Sequence, residues 1–202
     1  MATTTRTGSD LRHALSGCLG VPFVKGNRID VLHNGVQAFP AMLAAIEAAE
    51  RSIEFATFVY WRGAIAERFA DALARRAQAG VRVLVLLDAV GSLPMPPHLV
   101  EHMQSHGVEV AVFRPVATWQ VWKTTHRTHR KILVCDGQVG FTGGFGIAEQ
   151  WEGDARHEGE WRDTHFRVTG PIVHGLQAAF CGNWLETGRA VVDAMERVQP
   201  LA

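Results

Sequence analysis

Apolar and polar residues alternate from Asn27 to His33, which predicts a short strand. Asn34-Gly35 is a turn signal. From Val36 to Arg51 the apolar positions Phe39, Leu43 and Ile46 recur at helical spacing, with Pro40 in the first turn, where proline is tolerated. Ser52 to Trp61 carries Ile53, Phe55, Phe58, Val59 and Tyr60 and predicts a strand. An Ala-rich helix over 64–79 ends at Gly80. Val81 to Leu87 is apolar except for Arg82, the pattern of a strand buried on both faces.

The second half continues the alternation. Asp88 to Pro97 is a loop, Pro97 to His106 a helix stopped by Gly107, and Val108 to Phe113 a strand. Lys131–Asp136 and Gln138–Thr142 predict a hairpin turning at Asp136-Gly137. Residues 149–162 are polar and loop-like, Asp163 to Val168 a strand, and Pro171 to Thr187 a helix with Pro at its start and Gly188 at its end. Alternating strands and helices predict an α/β fold with a mixed, largely parallel sheet and helices on both faces. Residues 1–26 read as a flexible N-terminal tail, 27–190 as one domain and 191–202 as a C-terminal tail.

Composition narrows the class. Twenty Lys and Arg balance twenty Asp and Glu. The basic excess usual in a general nucleic-acid binder is therefore absent, and nucleic acid is an unlikely partner. Cys18, Cys135 and Cys181 are too far apart to suggest a disulfide framework or zinc site, and a reducing cytosolic setting fits them. No apolar run is long enough to span a membrane, and the first ten residues lack an apolar signal core.

The chemistry concentrates in one segment. His129, Lys131, Asp136, Gly143 and Gly144 form H-x-K-x4-D-x6-G-G, a pattern expected by chance in roughly one in 10⁴ chains of this size. On a strand, residues two apart face the same side, so His129 and Lys131 share one pocket. A neutral imidazole can attack phosphorus, and the Lys ammonium can hold the non-bridging oxygens. Asp136, five residues after Lys131, reads as a structural acceptor. Gly143-Gly144 allows backbone to approach a phosphate closely. The set calls for no metal and no cofactor.

This segment resembles the HKD signature of the phospholipase D superfamily. Residues 34–50, 80–92 and 161–184 extend the likeness to the N-terminal half of bacterial cardiolipin synthases and related phosphatidyltransferases, over roughly residues 28 to 190. The resemblance implies a phospholipase D-like half-domain and a ping-pong reaction on a phosphodiester through phosphohistidine. His129 would be the nucleophile or its acid partner, and Lys131 the phosphate-binding cation. Asp163 would be the carboxylate holding the His129 ring, with Thr142, Gly143 and Gly144 beside the substrate. The implied substrate is a phosphatidylglycerol-like anionic phospholipid, met peripherally at the inner face of the cell membrane.

Two departures stand out. Gly146 occupies a position where the family often carries a phosphate-contacting Asn. One HKD copy is present where the reaction uses two, so the second must come in cis from further sequence or from homodimerisation. The alternatives are a one-HKD homodimeric phosphodiesterase or endonuclease, and a non-catalytic half. Trp119, Trp122 and Lys123, just before the motif, read either as a membrane-facing lip or as Trp side chains packed beneath the motif.

Overall fold

The computed structural model describes residues 8–20, 22–115 and 127–189. Trp119, Trp122 and Lys123 lie outside these described residues. The elements run α1 (Gly8–Leu19), β1 (Arg28–His33), α2 (Asn34–Ala48), β2 (Ser52–Thr57), α3 (Ala64–Gln78), β3 (Arg82–Asp88), α4 (Pro97–Ser105), β4 (Glu109–Phe113), β5 (Ile132–Cys135), β6 (Val139–Gly143), a 3-10 turn (Glu149–Trp151), β7 (Thr164–Thr169) and α5 (Ile172–Leu185).

The strands form one seven-stranded sheet in the order β1-β7-β6-β5-β2-β3-β4. It is mixed, as the pattern predicts, but it is not largely parallel. Among the described strands β2–β3 and β3–β4 pair in parallel, while β1–β7, β2–β5, β5–β6 and β6–β7 are antiparallel. The reason is topological. The hairpin β5–β6 inserts beside β2, β7 folds back on β6, and β1 closes that edge by pairing with β7.

Helices cover both faces. Ile53, Phe55, Val83 and Val85 of the central strands pack with Phe39 and Ile46 of α2, Phe69 and Leu73 of α3, and Met103 of α4. Ala56, Leu84, Leu86 and Val134 face the other way, against Val173, Phe180 and Trp184 of α5. The near-unbroken apolar runs of β2 and β3 follow from this double coverage, since every residue after the first of each strand is buried.

Local differences are physical. α2 begins at Asn34, so Asn34-Gly35 opens the helix instead of turning before it, and Pro40 lies in the second turn. Gly8–Leu19 is helical, an element the polar start of the chain does not announce. The β5–β6 turn follows the sequence closely. Asp136 (φ 57°) and Gly137 (φ 67°) both adopt positive φ in the three-residue connection between the paired Cys135 and Val139, a conformation that Asp tolerates and Gly adopts freely.

Candidate functional site

The topology gathers the chemistry at one end of the sheet. β5 runs antiparallel to β2, so its entry segment, His129 to Lys131, lies beside the exit of β2 at Phe58. The exit of β6, Gly143, pairs with His165 at the start of β7. β3 ends nearby at Asp88.

His129 and Lys131 precede β5 and do share one side. Lys131 Nζ lies 3.0 Å from His129 Nδ1 and 3.2 Å from Nε2, and donates to the His129 carbonyl at 3.1 Å. Lys131 is buried, whereas His129 is exposed. Partial desolvation and the neighbouring Lys131 charge hold His129 below its usual pKa, against a smaller opposing effect from Asp88. Burial also lowers Lys131, while the negative charge of Asp163 favours its ammonium form. The pair therefore suits a neutral imidazole beside a charged amine.

The segment is anchored residue by residue. The Arg127 guanidinium donates to the Arg114 carbonyl at 2.7 Å and lies 3.9 Å from buried Asp88. Thr128 Oγ1 accepts from Asn183 of α5 at 2.8 Å. Arg130 donates to the Ala179 carbonyl at 3.0 Å. Asp88 itself caps its loop, with Oδ1 accepting from the Val90 and Gly91 N–H groups.

Asp163 sits immediately before β7. Its Oδ1 accepts the Thr164 N–H at 2.7 Å and its Oδ2 faces the Trp151 indole N–H at 3.4 Å. The carboxylate presses on the glycine pair: a Cβ at Gly144 would lie 2.0 Å from Asp163 Oδ1. Among the described residues no hydrogen bond joins Asp163 to the His129 ring; its charge acts on Lys131 and His165 instead. Thr142 and Gly143 line the same end of β6, and a Cβ at Gly143 would meet His165 Nδ1 at 2.7 Å. At Gly146 a Cβ would come within 2.5 Å of Val59 Cβ. An Asn there would have to displace the Val59 and Trp151 side chains, so this chain is packed around the absence of that side chain.

Asp136 stands apart, at the far end of β5. Its carboxylate accepts the backbone N–H groups of Glu50, Arg51 and Ser52 at 2.7–2.9 Å. Partial burial opposes ionisation, but these donors and the Arg51 charge outweigh it and hold the pKa below the usual carboxylate range. The arrangement fits the structural acceptor expected from its spacing.

Four residues that the sequence did not assign to the site reach it. Phe58 packs its ring on His129, with centroids 4.8 Å apart, and lies 5.6 Å from Lys131 Nζ. His165 is buried behind the glycine pair, and desolvation, reinforced by Lys131 and opposed by Asp163, pushes its pKa down to about 4. Trp151 meets Asp163. Asn34 braces Asp163 from α2: its N–H donates to the Asp163 carbonyl (3.1 Å) and its Oδ1 accepts the Asp163 N–H (3.2 Å). Its amide also donates to Asp154. In the sequence Phe58 reads as one residue of a strand and Asn34-Gly35 as a turn, and neither pattern points to the site.

Residues 42–158 match the family described as cardiolipin synthase, PLD-like domain. Cardiolipin synthase 1 of Bacillus anthracis is 34% identical over 167 residues, covering 82% of this chain and 33% of that protein. The chain thus spans about one third of the length of the curated relatives it matches. Among solved structures, the phospholipase D family member Nuc from Salmonella typhimurium aligns with a TM-score of 0.60 at 15% identity, covering 80% of this chain and 96% of that one. Phosphatidylserine synthase from Haemophilus influenzae aligns with a TM-score of 0.60 at 17% identity, covering 78% and 36%. These structural likenesses speak for the fold.

Proposed function

The chain belongs to the cardiolipin synthase family of phospholipase D-like domains, and from that premise we propose that it supplies one HKD half of a phosphatidyl-transferring site. The substrate is an anionic phospholipid of phosphatidylglycerol type. His129 attacks the phosphorus and glycerol leaves, taking a proton from the histidine of a second HKD half. The hydroxyl of a second lipid then attacks the phosphohistidine and releases His129. The second half comes from further sequence in cis or from another copy of the chain.

The observation that carries this reading is the 3.0 Å approach of Lys131 Nζ to the His129 imidazole. A fixed cation beside a neutral nucleophile stabilises charge developing on the phosphate oxygens while leaving the imidazole lone pair usable. Asp163 keeps Lys131 charged, Thr142 and the Gly143-Gly144 backbone border the phosphate, and Asp136 fixes the strand that presents the pair. Among the described residues no helix is long and apolar enough to cross a membrane; peripheral attachment at the cytoplasmic face is part of the proposal.

The test is cardiolipin formation from phosphatidylglycerol vesicles by wild type and His129→Ala, with light scattering to record whether the active species is a dimer. Cardiolipin from the wild type alone supports the proposal. Metal-free plasmid nicking without lipid turnover would favour the one-HKD endonuclease.

A further inference from the structure

Lys131 Nζ and the His129 ring nitrogens lie 3.0–3.2 Å apart. Two basic groups this close repel whenever both are charged. The group common to both is Phe58, whose ring packs against the imidazole at a 50° tilt and lies 5.6 Å from the ammonium. The face of an aromatic ring is negative and attracts such cations, most strongly where water is partly excluded.

Phe58 is itself held from behind. Its carbonyl abuts Gly91, where a Cβ would approach to 2.1 Å, and faces the Ser92 hydroxyl at 3.4 Å. The loop carrying these residues is capped by buried Asp88. A chain of contacts therefore runs from the end of β3, through the backbone after β2, to the ring beneath His129 and Lys131.

We propose that Phe58 is a positioning residue, its ring face holding His129 and Lys131 side by side. This rests on the reading of His129 as nucleophile and Lys131 as phosphate-binding cation. Aromatic character, and not bulk alone, is the property that matters. Leu or Met fills space without a negative face, whereas Tyr keeps one.

Two readouts test it on the whole chain. The first needs no turnover: NMR of histidine-labelled protein, with the His129 signal identified by its loss in His129→Ala. Wild type and Phe58→Tyr show His129 ring protons displaced by the aromatic ring current, and Phe58→Leu and Phe58→Met do not. The second is phosphatidylglycerol turnover. Leu and Met lower kcat/KM about tenfold, and Tyr restores it to within about twofold of wild type. Met stands in if the Leu variant is unstable. An unchanged His129 spectrum in the Leu and Met variants would overturn the proposal. So would full turnover in both, or a Tyr variant as impaired as they are. Turnover surviving in His129→Ala would instead remove the nucleophile reading, while the ring-current result would still decide whether Phe58 holds the imidazole.

Discussion

Asp136 Oδ1 accepts the backbone N–H of Arg51 at 2.7 Å, while the Arg51 guanidinium donates back to the Asp136 carbonyl at 2.8 Å. The third motif residue is thus a clasp between the β5–β6 turn and the entry to β2, away from the histidine. Asp136→Asn preserves side-chain size and suits the positive φ, but removes the carboxylate charge. It is expected to cost about 1–3 kcal/mol in denaturant unfolding. Because the folded pKa of Asp136 is depressed, its stabilising contribution is present above the unfolded value near 3.8 and is lost as pH falls through the folded pKa. An Asn variant as stable as wild type at pH 7 would show that the clasp contributes nothing.

Gly144 has no room for a side chain because the Asp163 carboxylate occupies the space. Gly144→Ala must displace that carboxylate, whose charge acts on Lys131. The expected result is a loss of turnover of about 10–100-fold with far-UV circular dichroism unchanged, since a displacement of about 1 Å at a positioned group carries that penalty. Wild-type turnover in the Ala variant would mean that Asp163 has no part in the site.

Asn34 tests the brace on Asp163. Its φ of 55° is a conformation that Asn tolerates, Gly adopts freely and Ala resists. Asn34→Gly removes the amide contacts to Asp163 and Asp154 alone, whereas Asn34→Ala adds backbone strain. Thermal melts are expected to rank wild type above Gly above Ala, with about 1 kcal/mol between the variants. Equal melting of the two would show that left-handed strain is not felt there.

His165 links stability to pH. Its folded pKa of about 4 lies below the ordinary 6.5, so between these values the unfolded chain binds a proton that the folded chain refuses. Stability therefore rises with pH across that window and is lost as pH falls through it, by roughly 3 kcal/mol in all. Urea midpoints measured from pH 4 to 7 check this. His165→Phe should flatten the slope in that window, and an unaltered slope would assign it to other groups.

Features resting on short-range pattern were legible. The apolar run ending at Asp88, the Asp136-Gly137 turn and the recurrence of Phe39, Leu43 and Ile46 each report a local constraint, and the elements they predict are present. Sheet direction was harder, because β1 pairs with β7 over more than 130 residues and no local pattern encodes that. The N-terminal helix carries Leu11, Ala14, Leu15, Cys18 and Leu19 at helical spacing, a pattern masked by the polar first ten residues beside it, and Leu11 and Leu15 are exposed.

The site divides the same way. His129 and Lys131 were legible because two residues in one segment suffice to place them together. Phe58, Asn34, Trp151 and His165 reach the site from four other segments, and only the folded chain brings them to it. The family resemblance marked Asp163 as the carboxylate holding the His129 ring; among the described residues its contacts are with Gly144, Trp151 and Thr164, and these depend on packing.

The most direct measurement is to incubate the protein with phosphatidylglycerol vesicles, quench in alkali, in which phosphoramidate bonds persist, and map the modified peptide by mass spectrometry. The account predicts a phosphatidyl adduct on His129, absent in His129→Ala, which forms no cardiolipin. An adduct on another residue, or cardiolipin made at an undiminished rate by the Ala variant, would contradict it.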